Sequence, residues 1–518
     1  MLSFFVAFIL LFFGSSFQAS FQTSKDLKLF DILKPSDTHR LFDTLQYTVE
    51  EQYSNSHLSF DVSTFHNYAE KPISIQKLNS KYSDVLYEGD MAISYKQLEK
   101  IVNGTVDDDI KFRLRKFLKM PIRPRRQAYL DDNYPATIWN SGVPFVFHSS
   151  LSSLAKDAIL RAIHFWYRET CIEFKPRTFQ EEYLLFVGND EGCWSTVGKD
   201  KDSGKQVVSI GTGCEHFGVT SHELAHALGL FHEQSRYDRD DSITFNPRVV
   251  DTKLLFNFAK ISSKQLSTYN APYDIGSVMH YTPTEFSQIK TIPSLTAVDS
   301  NLQQTMGQLE GPSFIDILLV NQHYKCQEKC ARLADCKNGG FTNSRNCRIC
   351  KCPSGFGGDL CENVQKSFSK SCGGIIQAEK VVRRFDMTIK QEFQKKDKMC
   401  AYHLQSPPNT KIVIKILELE SQCIEGCWKD GSEFKMRKDV RPLGYRFCCP
   451  DTSKREMVSD NNIVPFMLYS RDQKFKISFE YSYIDNFVQN DDIISTTPRT
   501  IITSTNDLSD GIHSQISI

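Results

Sequence analysis

Sixteen cysteines in 518 residues are spaced so unevenly that they divide the chain before any other feature is read. None precedes Cys171, and twelve fall between Cys330 and Cys449. Dense thiols in short polar segments are the mark of disulfide-built modules in an oxidising compartment, and an even count lets every thiol pair. The chain is long enough for about three domains or more. Lys+Arg and Asp+Glu are both 62, so no net charge draws it to nucleic acid or an anionic membrane.

The N-terminal run MLSFFVAFILLFFGSS is apolar and ends in small residues at Gly14, Ser15 and Ser16. It is short for a membrane span and reads as a secretory signal over residues 1–20, although no Lys or Arg precedes Lys25. The alternative is an uncleaved anchor. No other segment is apolar enough to span a bilayer. Residues 21–126 are polar and cysteine-free, and they end in Arg123-Pro124-Arg125-Arg126. That basic cluster is either a solvated linker or a site for a basic-specific processing protease. At a composition boundary in a secreted chain the second reading is favoured, which makes 21–126 a propeptide and Gln127 the mature N-terminus.

From there the pattern becomes globular. Pro144–Phe147, Tyr183–Val187 and Val207–Ile210 read as strands. Between the first two, apolar residues at Leu151, Leu154, Ala158, Ala162 and Phe165 fall at helical spacing, with Ser150 or Ser152 as N-cap. The stretch SHELAHALGLFHEQSRYDRD, Ser221 to Asp240, follows as a second helix, and the α+β unit ends near Cys326. Residues 326–362 hold too little apolar material for a core of their own. Residues 372–484 alternate apolar and polar positions, as in KIVIKILELE and KFKISFEYSY, which suggests a β-sandwich. From 485 to 518 the chain is rich in Ser, Thr, Asn and Asp and reads as a disordered tail.

On a helix, His222 and His226 share one face one turn apart, so both rings can point at one ion. Glu223 sits beside them and can reach a metal-bound water. Gly229 lets the chain turn left-handed, which swings His232 back as a third nitrogen. Three His ligands leave a fourth zinc position open, the arrangement of a catalytic site rather than a structural one. A bare HExxH also arises by chance. HExxHxxGxxH fixes five positions in eleven, and it predicts a Met-containing turn downstream. Ser277-Val278-Met279-His280-Tyr281 supplies that turn.

These residues resemble the astacin family of zinc endopeptidases, in the metzincin group, over about 127–326. The resemblance implies a two-lobed α+β protease domain holding one Zn2+ on His222, His226 and His232. Glu223 would be the general base and Met279 would lie under the metal. Tyr281 would be a weak fifth ligand that swings off to stabilise the oxyanion, and Glu233 would lie in a buried water network near the mature N-terminus. It also implies the bridges Cys193–Cys214 and Cys171–Cys326, the second contributing roughly 4–5 kcal/mol through loop closure. His216 and His280 fit no ligand slot. Family propeptides carry an F-x-G-D-like segment whose Asp occupies the zinc. Tyr87-Glu88-Gly89-Asp90-Met91 resembles it, with Tyr for the usual Phe, and the resemblance implies that Asp90 would be a zymogen-only zinc ligand rather than part of an ordinary Gly-Asp turn. Asn103-Gly104-Thr105 is a glycosylation sequon that would leave with the propeptide.

Residues 327–362 resemble an EGF-like module, which implies Cys330–Cys347, Cys336–Cys350 and Cys352–Cys361. Residues 372–484 resemble a CUB domain, with Cys372–Cys400 as a fitting pair, while the pairing of Cys423, Cys427, Cys448 and Cys449 stays open. Neither module shows a clear calcium motif. The chain is thus expected to be a secreted zymogen that, once processed after Arg126, hydrolyses extracellular matrix, cuticle or precursor proteins, with protein partners for its EGF-like and CUB parts. The rival from another class is a non-catalytic matrix-binding protein. Metal storage fits poorly, because three His on a closed scaffold suit retention.

Overall fold

The computed structural model describes residues 74–83, 86–93, 137–188, 192–199, 204–263, 266–390, 398–450, 455–471 and 474–486. The expected signal segment, Asn103, Arg126, Gln127 and the tail from 487 on lie outside the described residues.

The first unit is built on a mixed sheet. In chain order its strands are β1 (Met91–Ala92), β2 (Val143–Phe147), β3 (Phe174–Pro176), β4 (Tyr183–Val187), β5 (Cys193–Thr196) and β6 (Lys205–Ile210), arranged β1-β5-β6-β4-β2-β3. All neighbours are parallel except β5 with β6. β4 is buried along its whole length, as a central parallel strand should be. The edge strand β5 is completed by β1, which comes from the segment before Arg126 and pairs Met91 with Ser195 and Ala92 with Thr196.

A short helix α1 (Ile75–Leu78) precedes the sheet, and α2 (Ser153–Glu169) covers one face of it. Ser152 is the cap of α2, its Oγ accepting the Ala155 N–H at 3.0 Å. Ser150 instead accepts the Gly188 N–H and bonds the His148 ring. This register corrects one expected core position. Leu154 falls in the first turn on the outer side and is 47 % exposed, while Ala155, Ala158, Ile159, Ala162, Ile163, Phe165 and Trp166 form the inner face. Leu151 is buried from just outside the helix. Trp166 donates to the Ser221 carbonyl at 3.1 Å and so joins α2 to α3 (Phe217–Ala227), which is buried at every residue.

Below α3 the second lobe has little regular structure: a β7 (Ile243–Phe245) and β8 (Leu295–Ala297) pair, single 3-10 turns, and α4 (Phe314–His323). Cys171–Cys326 ties the end of α2 to the end of this lobe, and Cys193–Cys214 ties β5 to the loop before α3.

Two further units follow. The first has the pairs β9 (Phe341–Thr342) with β10 (Cys350–Lys351) and β11 (Phe356–Gly357) with β12 (Asn363–Val364), and is held by Cys330–Cys347, Cys336–Cys350 and Cys352–Cys361. The second is a two-sheet sandwich. One sheet joins β13 (Gly374–Gln377), β15 (Lys398–Gln405), β20 (Ile463–Ser470), β17 (Asp430–Phe434) and β18 (Tyr445–Phe447). The other joins β14 (Arg383–Ile389), β21 (Phe475–Asp485), β16 (Thr410–Glu420) and β19 (Glu456–Val458). Phe434, Phe447, Phe466, Phe475 and Phe479 fill the space between the sheets, and Cys372 pairs with Cys400. The four cysteines left open resolve into Cys423–Cys449 and Cys427–Cys448, so the adjacent pair serves two separate bridges.

Both units dock on the first unit. Arg345 donates to the carbonyls of Thr170 and Ile172 at 2.8 Å, capping the end of α2, and its guanidinium lies over the Tyr167 ring. On the other side, the Leu443 N–H of the sandwich donates to Asp274 Oδ1 at 3.1 Å, and Arg446 pairs with Glu310 at 2.9 Å and with Glu433 at 3.0 Å.

Candidate metal centre

α3 begins at His216, whose ring accepts the Gly218 N–H at 3.2 Å as an N-cap. This gives His216 a structural task and removes it from the metal question. Further along, His222 and His226 project from one face of the helix. After Ala227 the chain reverses at Gly229, which has φ +108° and brings His232 across. A Cβ at Gly229 would stand 3.0 Å from His323 Nε2. Gly229→Ala is therefore expected to cost about 1–3 kcal/mol. Thermal unfolding with and without zinc reads this; an unchanged midpoint would sink the assignment.

The three rings meet with centroids 4.6, 4.8 and 5.2 Å apart. Each is oriented from behind. His222 Nδ1 donates to the Val278 carbonyl at 2.8 Å and His226 Nδ1 to the Leu230 carbonyl at 2.8 Å. His232 Nδ1 donates to Glu88 Oε2 at 2.7 Å. Placing the proton on Nδ1 leaves every Nε2 lone pair facing inward, as metal-binding imidazoles require.

Asp90 enters from the opposite side. Its oxygens lie 3.3 Å from His222 Nε2, 3.6 Å from His226 Nε2 and 3.2 Å from His232 Nε2. All four residues are buried, and one donor atom from each lies within 4.8 Å of the others. The three Nε2 atoms, Asp90 Oδ1 and both Glu223 oxygens are buried without a hydrogen-bond partner. Such orphaned groups are costly unless something neutralises them. Two ligands about 2.0–2.1 Å from one tetrahedral ion stand about 3.3 Å apart, so the spacing suits zinc better than direct hydrogen bonds. The donor set fits the metal.

Burial and the neighbouring Asp90 charge hold the Glu223 carboxyl well above the usual carboxylate range. Burial would also lift Asp90, but His232 and the other two imidazoles hold it well below that range. Glu233 is raised to about 8 by burial, against the pull of Arg236. Its Oε1 accepts from Arg236 Nη1 at 3.0 Å and from the Asp274 N–H at 2.9 Å, while its own N–H donates to the Met279 carbonyl at 2.9 Å.

Met279 is buried in the turn Ser277–Tyr281, which Asp316 fastens to α4. Asp316 accepts from Ser277 Oγ at 2.6 Å and from the Val278 N–H at 3.0 Å. Tyr281 leans on His232, with ring centroids 4.9 Å apart, and its hydroxyl donates to the Glu88 carbonyl at 2.6 Å. His280 is fully engaged by the Tyr273 hydroxyl and the Tyr281 carbonyl and points away from the ligand set.

Three residues of the segment 74–93 were not singled out from sequence. Glu88 bonds His232, Ser235 and, through its carbonyl, Tyr281. Asn79 bonds the Gly89 carbonyl and the backbone of Cys193. Gln76 donates to the Glu88 carbonyl at 3.1 Å. The signal available for Glu88 was its position, a carboxylate two residues before the Asp.

Residues 131–325 match the model of the astacin family of peptidases. The chain is 64% identical over 493 residues to zinc metalloproteinase nas-29 of Caenorhabditis elegans, covering 94% of this chain and 93% of that protein. The chain belongs to the astacin family. Nas-23 of the same nematode is 42% identical over 81% of this chain and 76% of its own length. High choriolytic enzyme 1, a hatching enzyme zinc-protease from the medaka fish Oryzias latipes, is a solved structure 33% identical to this astacin. The match covers 37% of this chain and 96% of that one, with a TM-score of 0.34. This astacin is a zinc metalloproteinase.

Proposed function

We propose that this astacin is a secreted zymogen whose mature form, released by a basic-specific protease after Arg126, cuts extracellular matrix, cuticle or precursor proteins. The observation that carries the reading is Asp90 seated among three inward-facing imidazoles on a segment that precedes the processing site. In this reading residues 1–20 are the signal peptide, 21–126 the propeptide, 127–326 the protease domain, and 485–518 a polar tail. Residues 327–362 form an EGF-like module and 372–484 a CUB-like domain, which position substrates or bind matrix proteins. All sixteen cysteines are paired, in keeping with secretion.

His222, His226 and His232 would hold the zinc, which when bound acidifies water and polarises a peptide carbonyl. Glu223 takes the proton from the attacking water as its oxygen bonds to the carbonyl carbon. Glu223 then delivers that proton to the amine nitrogen as the C–N bond breaks. Tyr281, freed from the Glu88 carbonyl when the propeptide leaves, turns its hydroxyl to the carbonyl oxygen as negative charge builds there. Glu233 and Met279 hold the turn under the ligands, and Tyr281 would be a further residue able to hold the zinc.

The test is N-terminal peptide profiling of a complex secretome treated with mature protein, with chelator-stripped protein and with the same protein reloaded with zinc. New N-termini are expected in the first and third samples only. Zinc-loaded mature protein that cuts nothing would overturn the reading.

A further inference from the structure

We infer that Glu285 is a specificity residue, selecting substrates that carry a lysine or arginine at one fixed position near the scissile bond. The inference rests on the reading that residues 74–93 vacate the cleft on activation.

The precursor segment is an imprint of the cleft it fills. Tyr87 and Met91 pack on one side against Val197, Phe231 and Phe256, an apolar wall near the end of β5. The segment reaches the other end of β5 through Asn79, which accepts the Cys193 N–H at 2.8 Å. Just before α1, Ser74 donates to Glu285 Oε1 at 3.0 Å across the cleft. The other oxygen, Oε2, accepts from Thr282 Oγ1 at 2.9 Å. Glu285 is 7 % exposed in this state.

When the segment leaves, Oε1 loses its hydroxyl donor while Oε2 keeps the Thr282 hydroxyl. A cation that enters supplies a charged donor in place of the lost one, a stronger partner for a carboxylate than a hydroxyl. Its neighbours sharpen the choice. Glu425 of the sandwich accepts from Thr284 Oγ1 at 3.1 Å and adds a second negative charge, with the exposed Lys290 opposing it. Burial lifts the Glu285 carboxyl to about 7, which an entering cation would reverse. Tyr87 and Met91 pack on apolar side chains elsewhere along the segment, so the acidic subsite marks one end of the cleft and should leave its mark at one position.

The test profiles cleavage of a proteome-derived peptide library by zinc-loaded mature wild type, Glu285→Gln and Glu285→Lys. Wild type should enrich Lys and Arg about fivefold at one position within a few residues of the cut, as one desolvated charge pair can supply. Glu285→Gln should bring that enrichment to background, and Glu285→Lys should favour Asp and Glu there. Cleavage by wild type without basic enrichment overturns this inference and leaves the protease reading standing. The same holds if Glu285→Gln keeps the enrichment. Because the wild-type profile is decisive alone, a variant that fails to fold does not rescue the idea. A wild type that cleaves nothing overturns both.

Discussion

A full-length chain carrying Asp90→Ala, with Arg126→Ala added to block processing, is expected to hydrolyse a quenched fluorescent peptide while uncut. The Arg126→Ala chain with Asp90 intact is expected to stay silent. The effect comes from what Asp90 does for the buried imidazoles. It is the carboxylate facing all three Nε2 atoms, at 3.2–3.6 Å. Losing one partner of a buried charge set typically costs about 3–5 kcal/mol, so the open fraction should rise by about 10² or more. The rise will not reach the processed rate, because the rest of the segment keeps its own anchors. Glu88 still bonds His232 and Ser235, Asn79 still bonds Cys193, and β1 still pairs with β5. The added Arg126→Ala separates opening in place from removal. An uncut Asp90→Ala chain as silent as its Asp90 parent would show that the segment blocks by bulk alone.

The histidine cluster was legible because it is local. His222, His226, Gly229 and His232 lie within eleven residues, and helix periodicity with one left-handed turn brings them together. The strands read at 144–147, 183–187 and 207–210 were legible for the same reason, as short apolar runs, and the structure extends the first to Val143 and the last to Lys205. Contacts set by tertiary geometry were not. Leu154 matched a helical stripe, but it falls in the first turn at the margin of a face that tertiary packing centres on Ala155, Ala158, Ile159 and Ala162. Glu88 is as polar as its neighbours, and only the fold places it against His232, 144 residues away. The second lobe escaped for a physical reason: 3-10 turns and a single strand pair carry no sustained period to read. The pairs Cys423–Cys449 and Cys427–Cys448 are likewise fixed by where β17 and β18 run and not by spacing.

Glu223→Gln in the mature enzyme is expected to lower kcat by about 10²–10⁴, or roughly 3–5 kcal/mol of barrier, with KM and zinc content nearly unchanged. The split follows from placement. Glu223 sits on α3 between His222 and His226, yet its two oxygens bond to no protein group, and it is not among the residues whose donor atoms cluster as ligands. Gln preserves its volume and polarity, so ligand geometry and helix packing should survive; what it removes is a group able to accept a proton. An interaction needed only in the transition state appears in kcat and leaves substrate binding alone. The opposite pattern separates the rival roles. If Glu223 helped to hold the metal, zinc would be lost on dialysis and kcat would recover with added zinc. If it merely packed, kcat would stay within about threefold, which is the range of ordinary structural perturbation. Zinc stoichiometry, KM and kcat measured on one preparation therefore decide among base, ligand and filler. The base assignment stands only if kcat collapses alone.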